Sequence, residues 1–123
     1  MPNQSARILF VEDDVHVRLL VEDALRDAGY AVESAGTVAG GQSLLDAGTY
    51  DLLLTDGRLP DGNGFSIATK AAIKGVQVLI YTGYTYEYSE EERARFTVLT
   101  KPIRLARLLH FIQTALLNTN IGQ

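Results

Sequence analysis

The sequence predicts an α/β domain, a five-stranded parallel sheet covered by helices on both faces. Five short apolar runs alternate with stretches whose apolar residues recur at helical spacing, and the connections between them are short. The runs are apolar throughout rather than alternating, as strands buried on both faces are. A further observation bears on function: several runs stop at polar residues, and the carboxyl edge of such a sheet is where ligands bind, at the point where strand order reverses.

The first run, Arg7 to Val11, ends in Glu12-Asp13-Asp14. Val17, Leu20, Val21, Ala24, Leu25 and Ala28 then share one helical face, with Asp14 as N-cap and Gly29 as stop. Ala31 to Ser34 is a short second strand. Thr37 caps a helix whose apolar face is Val38, Leu44 and Leu45, stopped at Gly48 and weakened by Gly40 and Gly41. Leu52 to Thr55 is the third strand, ending at Asp56 before a loop of Gly, Pro, Asp and Asn that cannot be helix. Phe65 to Ala72 is a helix whose small residues Ala68, Ala71 and Ala72 let it lie close to the sheet. Val76 to Tyr81 is the fourth strand, followed by Thr82-Gly83-Tyr84. Ser89-Glu90-Glu91-Glu92 fits a capping box opening a helix to Arg95. Phe96 to Leu99 is the fifth strand, closed by Thr100-Lys101-Pro102. Leu105, Leu108, Leu109, Ile112 and Leu116 form the core face of the last helix. The ends, Met1 to Ser5 and Asn118 to Gln123, read as frayed tails.

The 123 residues are expected to form one domain, with a core of about 7–117. A composition of 46% apolar and 21% charged residues is that of an ordinary globule. The net charge of −4 tells against a nucleic-acid surface, which needs an excess of lysine and arginine. There is no cysteine, so disulfides, thiolate metal sites and cysteine nucleophiles are excluded. No apolar run approaches a membrane span and Met1 to Ala6 has no signal-peptide core, so a cytoplasmic location without a membrane partner is expected.

The carboxyl edge collects Glu12, Asp13 and Asp14 from the first strand, Asp56 from the third, Thr82 from the fourth and Lys101 from the fifth. Neighbouring carboxylates repel, and without a cation at least one is pushed toward protonation. A bound hard divalent cation resolves this. All the available ligands are oxygens and neither histidine lies at a strand end, which favours Mg2+ over Zn2+. A hydroxyl and an ammonium beside a metal-bound carboxylate suit a group carrying three negative oxygens. Lys101 would pair with one oxygen, Thr82 and the Gly83 amide with another, and the cation with the third. Asp56 would be the nucleophile, giving an aspartyl phosphate. Each of these residues alone is an ordinary cap or surface charge. Their arrival together at matching strand ends is what points to chemistry. His16 and His110 are read as surface or packing residues.

Val11-Glu12-Asp13, Asp56 with Leu59-Pro60 and Asn63-Gly64, Thr82-Gly83 and Lys101-Pro102, each at the end of its own strand, resemble the receiver domain of bacterial two-component response regulators. The likeness covers about Arg7 to Leu117. It implies a flavodoxin-like, doubly wound sheet of order 2-1-3-4-5 with five helices. It implies Mg2+-dependent phosphoryl transfer from a kinase phosphohistidine to Asp56, with Thr82 and Lys101 gripping the phosphoryl oxygens. Asp13, Asp56 and the backbone carbonyl of Arg58 would hold the metal, with Glu12 acting through water. A cis Lys101-Pro102 bond is usual in the family. The implied partners are a sensor histidine kinase or histidine phosphotransfer protein and a downstream protein target. The chain is expected to be a stand-alone receiver, monomeric or weakly dimeric, and a signalling protein rather than an enzyme beyond its own phosphorylation and dephosphorylation.

Val98 stands where many receivers carry the tyrosine or phenylalanine that turns inward on phosphorylation. The sequence around Thr82-Gly83-Tyr84 resembles a Thr-Gly-Tyr subgroup known in alphaproteobacterial signalling, in which Tyr84 would take part of that role. Arg58 and Tyr84 flank the family's hydrolytic water path. Both are bulky, so slow self-dephosphorylation is expected. The tyrosines at 81, 84, 86 and 88 read equally well as a partner-docking face or as half-buried loop aromatics. Two other functions compete. A haloacid-dehalogenase-like phosphatase would share the Asp nucleophile but needs an acid at Arg58. A dinucleotide module needs a glycine-rich turn where the chain has Glu12-Asp13-Asp14-Val15.

Overall fold

The computed structural model describes residues 6–84 and 88–121, with side chains to residue 117. The five apolar runs form one parallel sheet: β1 (Arg7–Val11), β2 (Ala31–Ala35), β3 (Leu52–Asp56), β4 (Gln77–Thr82) and β5 (Thr97–Thr100). Their order across the sheet is β2-β1-β3-β4-β5, with every neighbouring pair parallel. The helices are α1 (Val15–Asp27), α2 (Val38–Ala47), α3 (Gly64–Ile73), α4 (Glu90–Arg95) and α5 (Leu105–Ile121). From β1 the chain crosses to β2 on one side and later returns to β3 on the other, so the switch point opens between β1 and β3.

The central strands are buried on both faces, which is why they read as unbroken apolar runs. Ile8, Phe10, Leu52, Leu54, Leu79, Tyr81 and Leu99 face α1 and α5, packing on Val21, Leu25, Leu108, Ile112 and Leu116. Leu9, Val11, Leu53 and Ile80 face the other way, onto Val38 and Leu45 of α2 and Ile67, Ala68 and Ala71 of α3. Each such side chain, fully buried, contributes roughly 1.5–3 kcal/mol.

The caps fall where the sequence places them. The Asp14 carboxylate accepts from the amides of His16 and Val17, and the Thr37 hydroxyl accepts from Gly40. Ser89 and Glu92 close a reciprocal capping box, each side chain accepting from the other's amide at 3.0 Å.

Several expectations need correction. Leu20 is 61% exposed and Ala28 is also exposed, because the buried stripe of α1 follows Val17, Val21 and Leu25, four residues apart. Glu22 is buried instead, bonded to the Ser34 hydroxyl and to Arg26. Ala72 of α3 is exposed, while Ala68 and Ala71 lie against the sheet. Strands β4 and β5 end one residue later than read, so Thr82 belongs to its strand. α5 continues to Ile121, past Asn118 where a tail was expected. Met1 to Ser5 lie outside the described residues. Gly41 does more than weaken α2. A Cβ there would sit 2.9 Å from Val11 Cγ2 and 2.6 Å from Ile67 Cδ1, so its absence lets the helix rest on the sheet.

Candidate functional site

Four strand ends and the loop after β3 meet at the carboxyl edge of the sheet. Asp56 ends β3 with its side chain 8% exposed. Its Oδ1 accepts from the Arg58 amide at 3.1 Å, and its Oδ2 accepts from Lys101 Nζ at 2.9 Å. Lys101 stands just past β5, before a cis Lys101–Pro102 bond. Its amide donates to the Thr82 carbonyl, which ties the ends of β4 and β5 together. Thr82 is buried, and its Oγ1 accepts from the Tyr84 amide at 3.0 Å.

Small residues allow this convergence. A Cβ on Gly64 would lie 2.3 Å from the Asp56 carbonyl oxygen, and one on Gly57 would lie 2.5 Å from Thr82 Cβ. Only glycine lets the loop after Asp56 fold back so closely. The loop is braced as a two-stranded ribbon, Arg58–Leu59 against Gly62–Asn63, and Asn63 caps α3.

Glu12 and Asp13 face Asp56 from the end of β1. One carboxylate oxygen from each of the three lies within 4.8 Å of the others, with Glu12 and Asp56 buried and Asp13 exposed. An all-oxygen set open on one side suits a hard cation that retains water. The Glu12 carboxylate is raised above its ordinary range, chiefly because burial disfavours its charge. Repulsion from Asp56 adds to this, while the Tyr81 hydroxyl, the Asp14 amide and Lys101 oppose it. The expected push toward protonation thus falls on Glu12, and burial outweighs the neighbouring charge that was expected to cause it.

Glu12, Asp13, Asp56, Thr82, Lys101 and the Arg58 backbone are therefore gathered at one edge. Asp14 is not part of the acidic set, since its carboxylate is occupied at the start of α1. His16 and His110 are exposed on α1 and α5. The Arg58 guanidinium lies 3.7 Å from the centre of the Tyr84 ring, so the residues two after Asp56 and two after Thr82 form a stacked pair.

Four contacts escaped the sequence. The Tyr81 hydroxyl donates to Glu12 Oε1. The Tyr88 hydroxyl donates to the Gly57 carbonyl at 2.8 Å, tying the approach to α4 to the loop after Asp56. The Asp61 carboxylate accepts from the Val38 and Ala39 amides, joining that same loop to the start of α2. Arg18 donates to the Glu12 carbonyl at 2.7 Å. Neither reading of the tyrosines holds as stated. Tyr81 and Tyr88 are buried with their hydroxyls engaged, Tyr84 is 38% exposed, and Tyr86 lies outside the described residues. Val98 is half-buried against the core on the α2 and α3 side.

A family profile described as "Response regulator receiver domain" matches residues 8–113. The chain is 34% identical over 119 residues to the probable transcriptional regulatory protein SilR of Salmonella typhimurium, taking in 93% of this chain and 52% of that one. The chain spans about half the length of the curated relatives it matches first. Among solved structures it is similar to a response regulator receiver domain protein (CheY-like) from Methanospirillum hungatei JF-1, with a TM-score of 0.86, 28% identity and coverage of 97% of this chain and 99% of the other. The response regulator protein TrrA from Thermotoga maritima, solved in complex with Mg2+-BeF, shares the fold at a TM-score of 0.79 and 22% identity, over 89% of this chain and 98% of that one.

Proposed function

This chain belongs to the family of response regulator receiver domains, and on that premise we propose that Asp56 is the phosphoacceptor of a two-component phosphorelay. The observation that carries the reading is the contact of Lys101 Nζ with Asp56 Oδ2 at 2.9 Å, beside the oxygens of Glu12 and Asp13. A carboxylate oxygen of Asp56 attacks the phosphorus of a phosphohistidine. A P–O bond forms, the P–N bond breaks, and the imidazole leaves with the electron pair and takes up a proton. The Lys101 ammonium and the Thr82 hydroxyl hold two of the phosphoryl oxygens. Asp56 acts by position and charge, with no separate base required.

The side chains of Asp13 and Asp56 and the carbonyl of Arg58 would hold Mg2+, with Glu12 acting through water, and the ion would supply charge neutralisation at the transferred group. Support comes from the all-oxygen cluster and from the Mg2+-BeF complex of the structurally similar TrrA. Tyr84, joined to Thr82 through its amide, takes up part of the aromatic role that Val98 cannot fill.

The domain is a signalling module rather than a metabolic enzyme. In this proposal it catalyses its own phosphorylation and dephosphorylation, receiving the group from a sensor histidine kinase or a histidine phosphotransfer protein and passing the signal to a protein target. The receiver is taken to occupy the 123 residues, with its core at about 7–117. SilR bears the name of a probable transcriptional regulatory protein, so the acidic balance speaks against nucleic-acid contact for these 123 residues and not for a longer protein. Among the described residues, no helix is long and apolar enough to cross a membrane.

Incubation with acetyl phosphate tests the assignment. The wild-type chain should gain one phosphoryl group only when Mg2+ is present, and Asp56→Asn should gain none. Labelling that persists in Asp56→Asn, or no labelling of the wild type, overturns the assignment.

A further inference from the structure

We propose that Tyr81 is a positioning residue of this site, its hydroxyl orienting the Glu12 carboxylate and its ring seating the Lys101 ammonium; the inference rests on the phosphoacceptor reading above. Tyr81 lies near the end of β4, one residue before Thr82, and is only 4% exposed. A buried hydroxyl needs a partner, and an apolar side chain would fill the same space without one. The partner here is an acid, Glu12, itself 2% exposed.

The contacts on Glu12 fix its plane. Oε2 accepts from the Asp14 amide at 2.9 Å and Oε1 accepts from the Tyr81 hydroxyl, so donors from two different elements hold the two oxygens. A carboxylate held at both oxygens presents its remaining lone pairs in one direction. Asp13 and Asp56 supply the other oxygens of the cluster.

The same side chain reaches the base. Lys101 Nζ lies 4.6 Å from the centre of the Tyr81 ring, 2.9 Å from Asp56 Oδ2 and 3.9 Å from Glu12 Oε1. A ring face beneath the ammonium attracts it and limits where the flexible lysine stem can carry it. Tyr81 thus touches both an acid of the cluster and the lysine opposite. It also stacks on Phe10, at 6.3 Å between ring centres, which helps anchor the ring in the core.

Two substitutions separate the hydroxyl from the ring. Tyr81→Phe keeps the ring and its packing on Phe10, and Tyr81→Met fills the space with a flexible chain. Mg2+ affinity is measured by calorimetry with no phosphodonor present, alongside thermal stability and the rate of labelling by acetyl phosphate at saturating Mg2+. Tyr81→Phe should bind Mg2+ about 10-fold more weakly, the loss typical of removing a group that orients a metal ligand, and should label at the wild-type rate once Mg2+ saturates. Tyr81→Met should remain slower by a similar factor even then. Wild-type Mg2+ affinity in Tyr81→Phe, or no Mg2+ binding by the wild-type chain, overturns the role of the hydroxyl. Full recovery of Tyr81→Met at saturating Mg2+ overturns the role of the ring. Failure of the wild type to label at Asp56 would overturn the phosphoacceptor reading instead, while the calorimetry still judges the hydroxyl.

Discussion

Replacing Tyr84 with alanine should shorten the life of a phosphoryl group on Asp56 by about 2- to 5-fold. The Arg58 guanidinium sits 3.7 Å from the Tyr84 ring centre, and the two residues follow Asp56 and Thr82 at equal spacing. In the phosphoacceptor reading proposed above, the pair would cover the side from which water reaches the phosphorus. Tyr84 is 38% exposed and Arg58 is exposed, so the stack is worth the lower range for such contacts, about 0.5–1 kcal/mol. Removing it raises the population of the uncovered arrangement by the corresponding factor, since 1.4 kcal/mol is about tenfold. Arg58→Ala should act in the same direction, and Tyr84→Phe, which keeps the ring, should decay like the wild type. The assay is first-order loss of the phosphoryl group by intact-protein mass spectrometry after the phosphodonor is removed. Unchanged or longer lifetimes in both alanine variants would refute the idea that the pair shields the site.

Gly64→Ala should destabilise the fold by about 1–3 kcal/mol, as overpacking does, because its Cβ would meet the Asp56 carbonyl oxygen at 2.3 Å; the midpoint of urea unfolding reads this. Asp61 is held below its ordinary carboxylate range by the Ala39 and Val38 amides. Its contribution is therefore present above the unfolded value and lost as pH falls through the folded one, so Asp61→Asn should be less stable at neutral pH and show a shallower loss of stability in acid. Tyr50 is pushed up to about 12, by burial first and then by its hydrogen bond to Glu33. Its contribution is intact below the ordinary tyrosine value and lost as pH rises toward about 12. Burial pushes Tyr30 and Tyr81 up as well, so tyrosinate absorbance should show several late-titrating groups, of which Tyr50→Phe removes the one near 12.

Much of the site was legible because it is written at strand ends. An unbroken apolar run identifies a strand buried on both faces, and the first polar residue after it must emerge at the carboxyl edge. Asp56, Thr82 and Lys101 were found in this way, as were Glu12 and Asp13. The caps at Asp14, Thr37 and Ser89 were equally readable, since each bonds within its own helical turn. Leu20 misled because a helical face drawn from spacing alone is wider than the stripe that the sheet covers. Asp61 was hidden because it sits in a loop and its partners, Val38 and Ala39, lie more than 20 residues away on α2.

Residue order alone was enough to read the strand and helix alternation and the acids and the lysine at the sheet edge, and these suggested the phosphoacceptor reading proposed above. Each of those follows from residue type and short-range spacing. Which groups touch depends on how the strands are ordered and packed. Strand order brings β1 beside β3 and β3 beside β4, so Tyr81 reaches Glu12 across 69 residues of chain and Lys101 reaches Asp56 across 45. In a linear reading Tyr81 is one more apolar residue of a buried run. Its hydroxyl acquires a role only when the packing of the sheet edge seals it from water and leaves Glu12 within reach as its acceptor.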